Sequence, residues 1–124
     1  MANIPFSPPD ITEAEINEVC EALRSGWITT GPRTKEFERR IADFCGTERA
    51  VCLSSATSAL ELNLRVLGIG EGDEVIVPAY TYTASASPVA HLGAKIVFVD
   101  CAPGSFEMDY NLMEAAINER TKAI

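Results

Sequence analysis

The chain predicts an α/β fold in three layers, a mostly parallel sheet with helices on both faces. Two observations carry this. Short continuous apolar runs, Val75-Ile76-Val77 and Ile96-Val97-Phe98-Val99, alternate with helix-period segments, the pattern of strands buried on both sides. The composition, 47% hydrophobic and 23% charged over 124 residues, is that of a soluble globular domain. A chain of this length buries roughly 65% of its unfolded surface, enough for a core.

The elements follow in order. Thr12-Glu13-Ala14-Glu15 is a capping box. Its helix carries Ile16, Val19, Cys20 and Leu23 at helical spacing and stops before Gly26. The loop Gly26–Pro32 leads to a second helix with Phe37, Ile41, Phe44 and Cys45 on one side, ended by Gly46. These two helices form an N-terminal helical segment at about 11–46, and α/β units follow from about 49. Arg49-Ala50-Val51-Cys52-Leu53 reads as a strand, followed by a helix at about 56–67 with Leu60, Leu64 and Leu67 on one face. Residues 74–77 read as a strand closed by Pro78, and residues 82–92 as a helix ended by Gly93. Lys95–Val99 is a third strand, stopped at Asp100. Asn111–Glu114 is a second capping box, with a helix to about Arg120. Residues 121–124 start a further strand, so the chain reads as the N-terminal piece of a longer protein.

Charge and composition exclude several functions. The net charge of −8 disfavours nucleic acid and anionic membrane surfaces. No apolar run approaches the ~20 residues of a membrane span. Residues 1–9 lack the basic start and apolar centre of a signal peptide. Cys20, Cys45, Cys52 and Cys101 form no CxxC pair, and His91 is remote from them in sequence, so no metal site is expected. Cys20, Cys45 and Cys52 read as small core residues of a reduced, cytoplasmic protein.

The segment Ser54–Leu60 carries the chemistry. A strand that ends in small hydroxylated residues and turns into a helix makes an anion site, because the first helical N–H groups lack internal partners. Ser55, Thr57 and Ser58 can add hydroxyl donors there. The same residues also suit a well-capped helix with no ligand. Neither GxxxxGK[ST] nor a GxGxxG after a strand is present, which leaves a generic nucleotide-binding domain unsupported. Ser54–Leu60, Pro78–Thr83 and Asp100 all fall at strand carboxyl ends, where parallel α/β sheets place their active sites.

Further motifs give that anion an owner. GWITTGP, FERRIADFCGTERAVCLSSATSAL, LGIGEGDEVIVPAYTYTASA and GAKIVFVD occur in this order and spacing. Together they resemble the DegT/DnrJ/EryC1/StrS family of pyridoxal-phosphate-dependent sugar aminotransferases, over about residues 3–124. The resemblance implies the N-terminal part of a fold-type I aminotransferase large domain. It implies pyridoxal 5'-phosphate as cofactor, with Ala56, Thr57 and Ser58 at its phosphate and Tyr82 stacked on its ring. For Tyr82 the alternative is an aromatic packed on the sheet. It also implies a substrate loop at Gly26–Pro32, with Trp27, Thr29 and Thr30 as candidate substrate-binding residues. For Trp27 alone, simple packing is the other role. Asp100 matches a strand-end position near the site and is assigned no chemistry.

The implied reaction moves an amino group from an amino acid donor such as glutamate to a keto group of a nucleotide-linked sugar, in polysaccharide or aminosugar biosynthesis. The implied assembly is a homodimer. The family's Schiff-base lysine and its pyridine-pairing aspartate lie on later strands, beyond Ile124. Lys35, Lys95 and Lys122 occupy other positions and read as solvated charges. The 124 residues alone are therefore expected to be inactive, to hold the cofactor weakly and to associate or dissolve poorly. Two alternatives stay open: a family dehydratase that keeps the cofactor without that lysine, and a non-catalytic phosphate-binding or assembly module.

Overall fold

The structure, a computed structural model, describes residues 5–124; residues 1–4, part of the segment read for a leader, lie outside the described residues. The chain divides into two compact units, Met1–Cys52 and Leu53–Ile124.

The first unit is helical. In α1 (Glu13–Arg24) the capping box forms: Thr12 Oγ1 accepts from the Ala14 amide at 3.2 Å, and the Thr12 amide donates to Glu15 Oε2 at 2.6 Å. Gly26, at φ +72, turns the chain away. In α2 (Pro32–Cys45), Pro32 occupies the first turn, where its missing N–H costs nothing, and Gly46 ends the helix at φ +67. Arg33 of α2 pairs with Glu18 and Glu21 of α1. Ala42 and Gly31 are the buried residues in this unit among those described. The apolar stripe of both helices, including Val19, Leu23, Phe37 and Phe44, is exposed. Cys45 is exposed and Cys20 and Cys52 are only half-buried, so the three expected core cysteines are not core; all four thiols are free.

The second unit holds the sheet. Its strands are β1 (Glu74–Pro78), β2 (Lys95–Val99) and β3 (Thr121–Ala123), in the order β2-β1-β3. β1 pairs parallel with both neighbours, in register Ile76↔Val97 with β2 and Glu74↔Thr121 with β3. Val75, Ile76 and Val77 of the central strand are buried on both faces, as a continuous apolar run requires. Ile69, Val75, Val77, Val89 and Ala94 form one core cluster, and Leu64 of α3 (Ala56–Val66) packs against it.

Three expectations are corrected here. Residues 49–53 form no strand: among the described residues this apolar run pairs with none of the three strands, and composition without a ladder makes no strand. The helix expected at 82–92 is a 3-10 turn, Thr83–Ser85, then α4 (Ser87–His91). Pro88 has no N–H to continue a ladder, and its ring would meet the preceding turn, so the α-helix starts only beside it. The last helix, α5 (Tyr110–Ala116), is capped by Asp109, whose Oδ1 accepts from the amides of Asn111 and Leu112 at 2.9 and 3.3 Å. Asn111 therefore lies inside the helix, and no box forms with Glu114. The helix stops at Ala116 and not Arg120, because Ile117 is already extended and Asn118 turns its side chain to Glu74.

Candidate functional site

The second unit carries the candidate phosphate seat. Ser55 is the N-cap of α3; its extended backbone lets Oγ accept from the Ser58 amide at 3.1 Å. The first i→i−4 bond runs from the Ala59 amide to the Ser55 carbonyl, so the amides of Ala56 and Thr57 precede the helical ladder. The Ser58 hydroxyl lies 3.0 Å from Ser55 Oγ and 3.2 Å from Ser54 Oγ, which gathers three hydroxyls at one point. The first turn of α3 contains no acidic side chain, and Ala56 and Ser58 are exposed. Free amides, clustered hydroxyls and the positive end of an 11-residue helix suit a phosphate. The seat is a helix N-terminus without the strand that the sequence suggested before it.

Tyr82 is the N-cap of the 3-10 turn that α3 contacts. Its ring is 80% exposed, so it is not packed on the sheet and its face is open. The preceding residues are held in place. The Ala79 amide donates to the Val99 carbonyl at 2.8 Å, and Tyr80 stacks on Phe106 with ring centroids 5.2 Å apart. Asp100 follows β2; its Oδ1 accepts from the Cys101 amide at 2.7 Å and its carbonyl from the Asp109 amide at 2.9 Å. It caps its own loop, as a strand-ending aspartate often does. Both segments follow the carboxyl ends of β1 and β2.

The opposite ends of the strands carry an ionic knot that sequence reasoning did not find. Glu74, 3% exposed, accepts from Asn118 Nδ2 at 2.9 Å, Lys95 Nζ at 3.0 Å and Arg120 at 2.7 Å. Asn118 and Lys95, with Arg120, hold its carboxyl down to about 2 from an ordinary 4.5. Lys95 is therefore the partner of a buried charge and not merely solvated. The polar start of an otherwise apolar strand was the available signal.

The first unit carries the substrate-loop candidates. A cleft of about 740 Å³ is lined by Trp27, Thr29, Phe37 and Arg33, among others. Arg33 and Arg40 on its rim are paired with glutamates, so the cleft offers little free charge. Trp27 and Thr29 reach the cleft; Thr30 instead gives its carbonyl to Trp27 Nε1 at 3.0 Å. Among the described residues no group of His, Cys, Asp and Glu could hold a metal, and no helix is long and apolar enough to cross a membrane.

The chain is 48% identical over 121 residues to the UDP-4-amino-4-deoxy-L-arabinose–oxoglutarate aminotransferase of Shewanella sediminis, covering 98% of this chain and 31% of that protein. It matches Spr1654 of Streptococcus pneumoniae, described as a sugar aminotransferase and solved in its PLP form, at 66% identity with a TM-score of 0.89, over 98% of this chain and 31% of that one. It also matches the Escherichia coli GDP-4-keto-6-deoxy-D-mannose-3-dehydratase with bound hydrated PLP at 27% identity and a TM-score of 0.87, over 98% of this chain and 33% of that one. The chain thus spans about 30% of the length of these relatives. The parallel sheet with helices is the α/β arrangement expected from the sequence. Matched over residues 9–124, the chain belongs to the DegT/DnrJ/EryC1/StrS aminotransferase family.

Proposed function

We propose that these 124 residues supply the phosphate seat and the ring-stacking face of a pyridoxal-phosphate-dependent aminotransferase acting on a nucleotide-linked keto sugar. The observation that carries the reading is the exposed start of α3. There the amides of Ala56 and Thr57 and the hydroxyl of Ser58 converge with no acid in the first turn. Bound there, pyridoxal phosphate supplies an electron sink for moving an amino group. The chain's own residues bind and orient. The α3 terminus fixes the phosphate by hydrogen bonds and dipole, and the open Tyr82 face holds the ring flat. Trp27, Thr29 and Thr30 belong to the loop that meets the sugar. The covalent lysine, the pyridine-pairing aspartate and a partner subunit would come from outside these residues, in a cytoplasmic homodimer. The donor is an amino acid such as glutamate.

The test uses the full-length protein. Ser58→Asp places a carboxylate at the phosphate seat and is expected to abolish cofactor retention, read from cofactor absorbance after gel filtration. Tyr82→Leu is expected to raise the cofactor dissociation constant about tenfold, with Tyr82→Phe retaining most affinity. Retention of the cofactor by Ser58→Asp would sink the reading.

A second reading, sugar dehydration, is favoured by the match to the dehydratase with bound hydrated PLP. Borohydride treatment separates the two: cofactor fixed to a lysine supports aminotransfer, and cofactor left free supports dehydration.

A further inference from the structure

We propose that Trp27 is the positioning residue of the 25–31 loop: it locks the loop and so presents the Thr29 hydroxyl to the sugar in the cleft. The substrate half of this rests on the proposed function. The loop is fixed at three points. Ser25 Oγ donates to the Ala22 carbonyl at 2.7 Å and accepts from the Trp27 amide at 3.1 Å. The indole Nε1 donates to the Thr30 carbonyl at 3.0 Å, closing the loop on itself. Gly31 lies against the indole, and a Cβ there would clash with its Nε1 and Cδ1.

Two details turn this from packing into positioning. An indole has one donor, and this one is spent inside the loop, so Trp27 has none left for a ligand. In these 124 residues Trp27 is held by its polar edge, with 57% of its surface exposed. Gly31 has φ −159 and ψ −153, extended values open to any residue, so it is required for space and not for conformation. Its carbonyl then accepts the first bond of α2, from the Lys35 amide at 3.1 Å. Residues 28 and 29 are the crest between the fixed points. Ile28 is 75% exposed, and Thr29 lines the cleft.

The experiment compares Trp27→Phe, Gly31→Ala and Thr29→Val in the full-length protein. Trp27→Phe keeps an aromatic ring while removing the indole donor and one fused ring, so it remains informative if Gly31→Ala fails to fold. The emission of Trp27 is taken as the difference between each protein and its Trp27→Phe counterpart. Gly31→Ala is expected to shift that emission to the red and to speed its quenching by acrylamide. Trp27→Phe and Thr29→Val are each expected to raise KM for the keto-sugar substrate about tenfold, the size of one hydrogen bond, with kcat changed less and the amino donor's KM unaltered. Because both act through Thr29, the Trp27→Phe/Thr29→Val double variant should be no worse than either single. Full additivity of the two, or unchanged Trp27 emission in Gly31→Ala, overturns the proposal. If the wild-type protein turns over no sugar, the proposed function fails and takes the substrate half with it, while the emission still decides the lock.

Discussion

Residues 5–52 and residues 53–124 spell their helices with the same local signals, and only the second region builds a core. In the first, α1 has a complete capping box and α2 has its proline start and glycine stop, yet Ala42 is the one buried apolar side chain among those described. In the second, α3 and α5 are capped by single residues, α4 is five residues long, and still Ile69, Val75, Ile76, Val77, Val89, Ala94 and Val99 are buried. The difference lies in β1. A strand covered on both faces gathers neighbours from distant parts of the chain, whereas a capping box satisfies only the helix that owns it. Helix signals are therefore evidence for elements and not for a core.

The largest way to break this contrast is truncation of the central strand. Ile76→Ala, at a side chain 1% exposed, is expected to cost about 2–5 kcal/mol in urea unfolding. The same kind of truncation on the exposed face of α1, Leu23→Ala, should cost less than about 0.5 kcal/mol. Equal costs would erase the distinction.

A second effect follows pH. The carboxyl of Glu74 titrates near 2 in the folded chain and ordinarily at 4.5, so the unfolded chain binds the proton first as pH falls. Its contribution is therefore complete above 4.5 and lost between there and about 2. Urea midpoints of wild type should fall across that window, and Glu74→Gln should flatten this part of the acid limb. An equally steep limb in the variant would show that the knot does not act. Smaller and more local, Thr12→Ala should remove about 1 kcal/mol of helix stability from α1 and leave protection of the β1 amides unchanged. Hydrogen exchange on both segments reads this directly.

The legible parts were those written locally. Gly26 and Gly46 stop α1 and α2 because both need a positive φ, and the run from Val75 to Val77 can only be a strand buried on both sides. The misread parts depended on partners. Residues 49–53 have a strand's composition and no ladder. Asn111 looked like a cap because Asn and Glu stand at the right spacing, but Asp109 reached the amides first. Of the site, the cap at Ser55 and the cluster around Ser58 were readable from small hydroxylated residues before a helix. The Glu74 knot was not, since its partners lie 21 and 46 residues away in sequence.

Those separations also order the birth of the sheet. Pairing β1 with β2 closes a loop of 21 residues along five matched positions, whereas pairing β1 with β3 closes one of about 46 along two, across an irregular register. Closing the longer loop costs more chain entropy and returns fewer bonds, so β1 and β2 zip first and β3 joins last. Glu74, whose amide donates to the Arg120 carbonyl at 2.8 Å, is then the latch that the late strand must find. The last-formed edge is also the first to open, and strand β3 should be where the sheet begins to come apart.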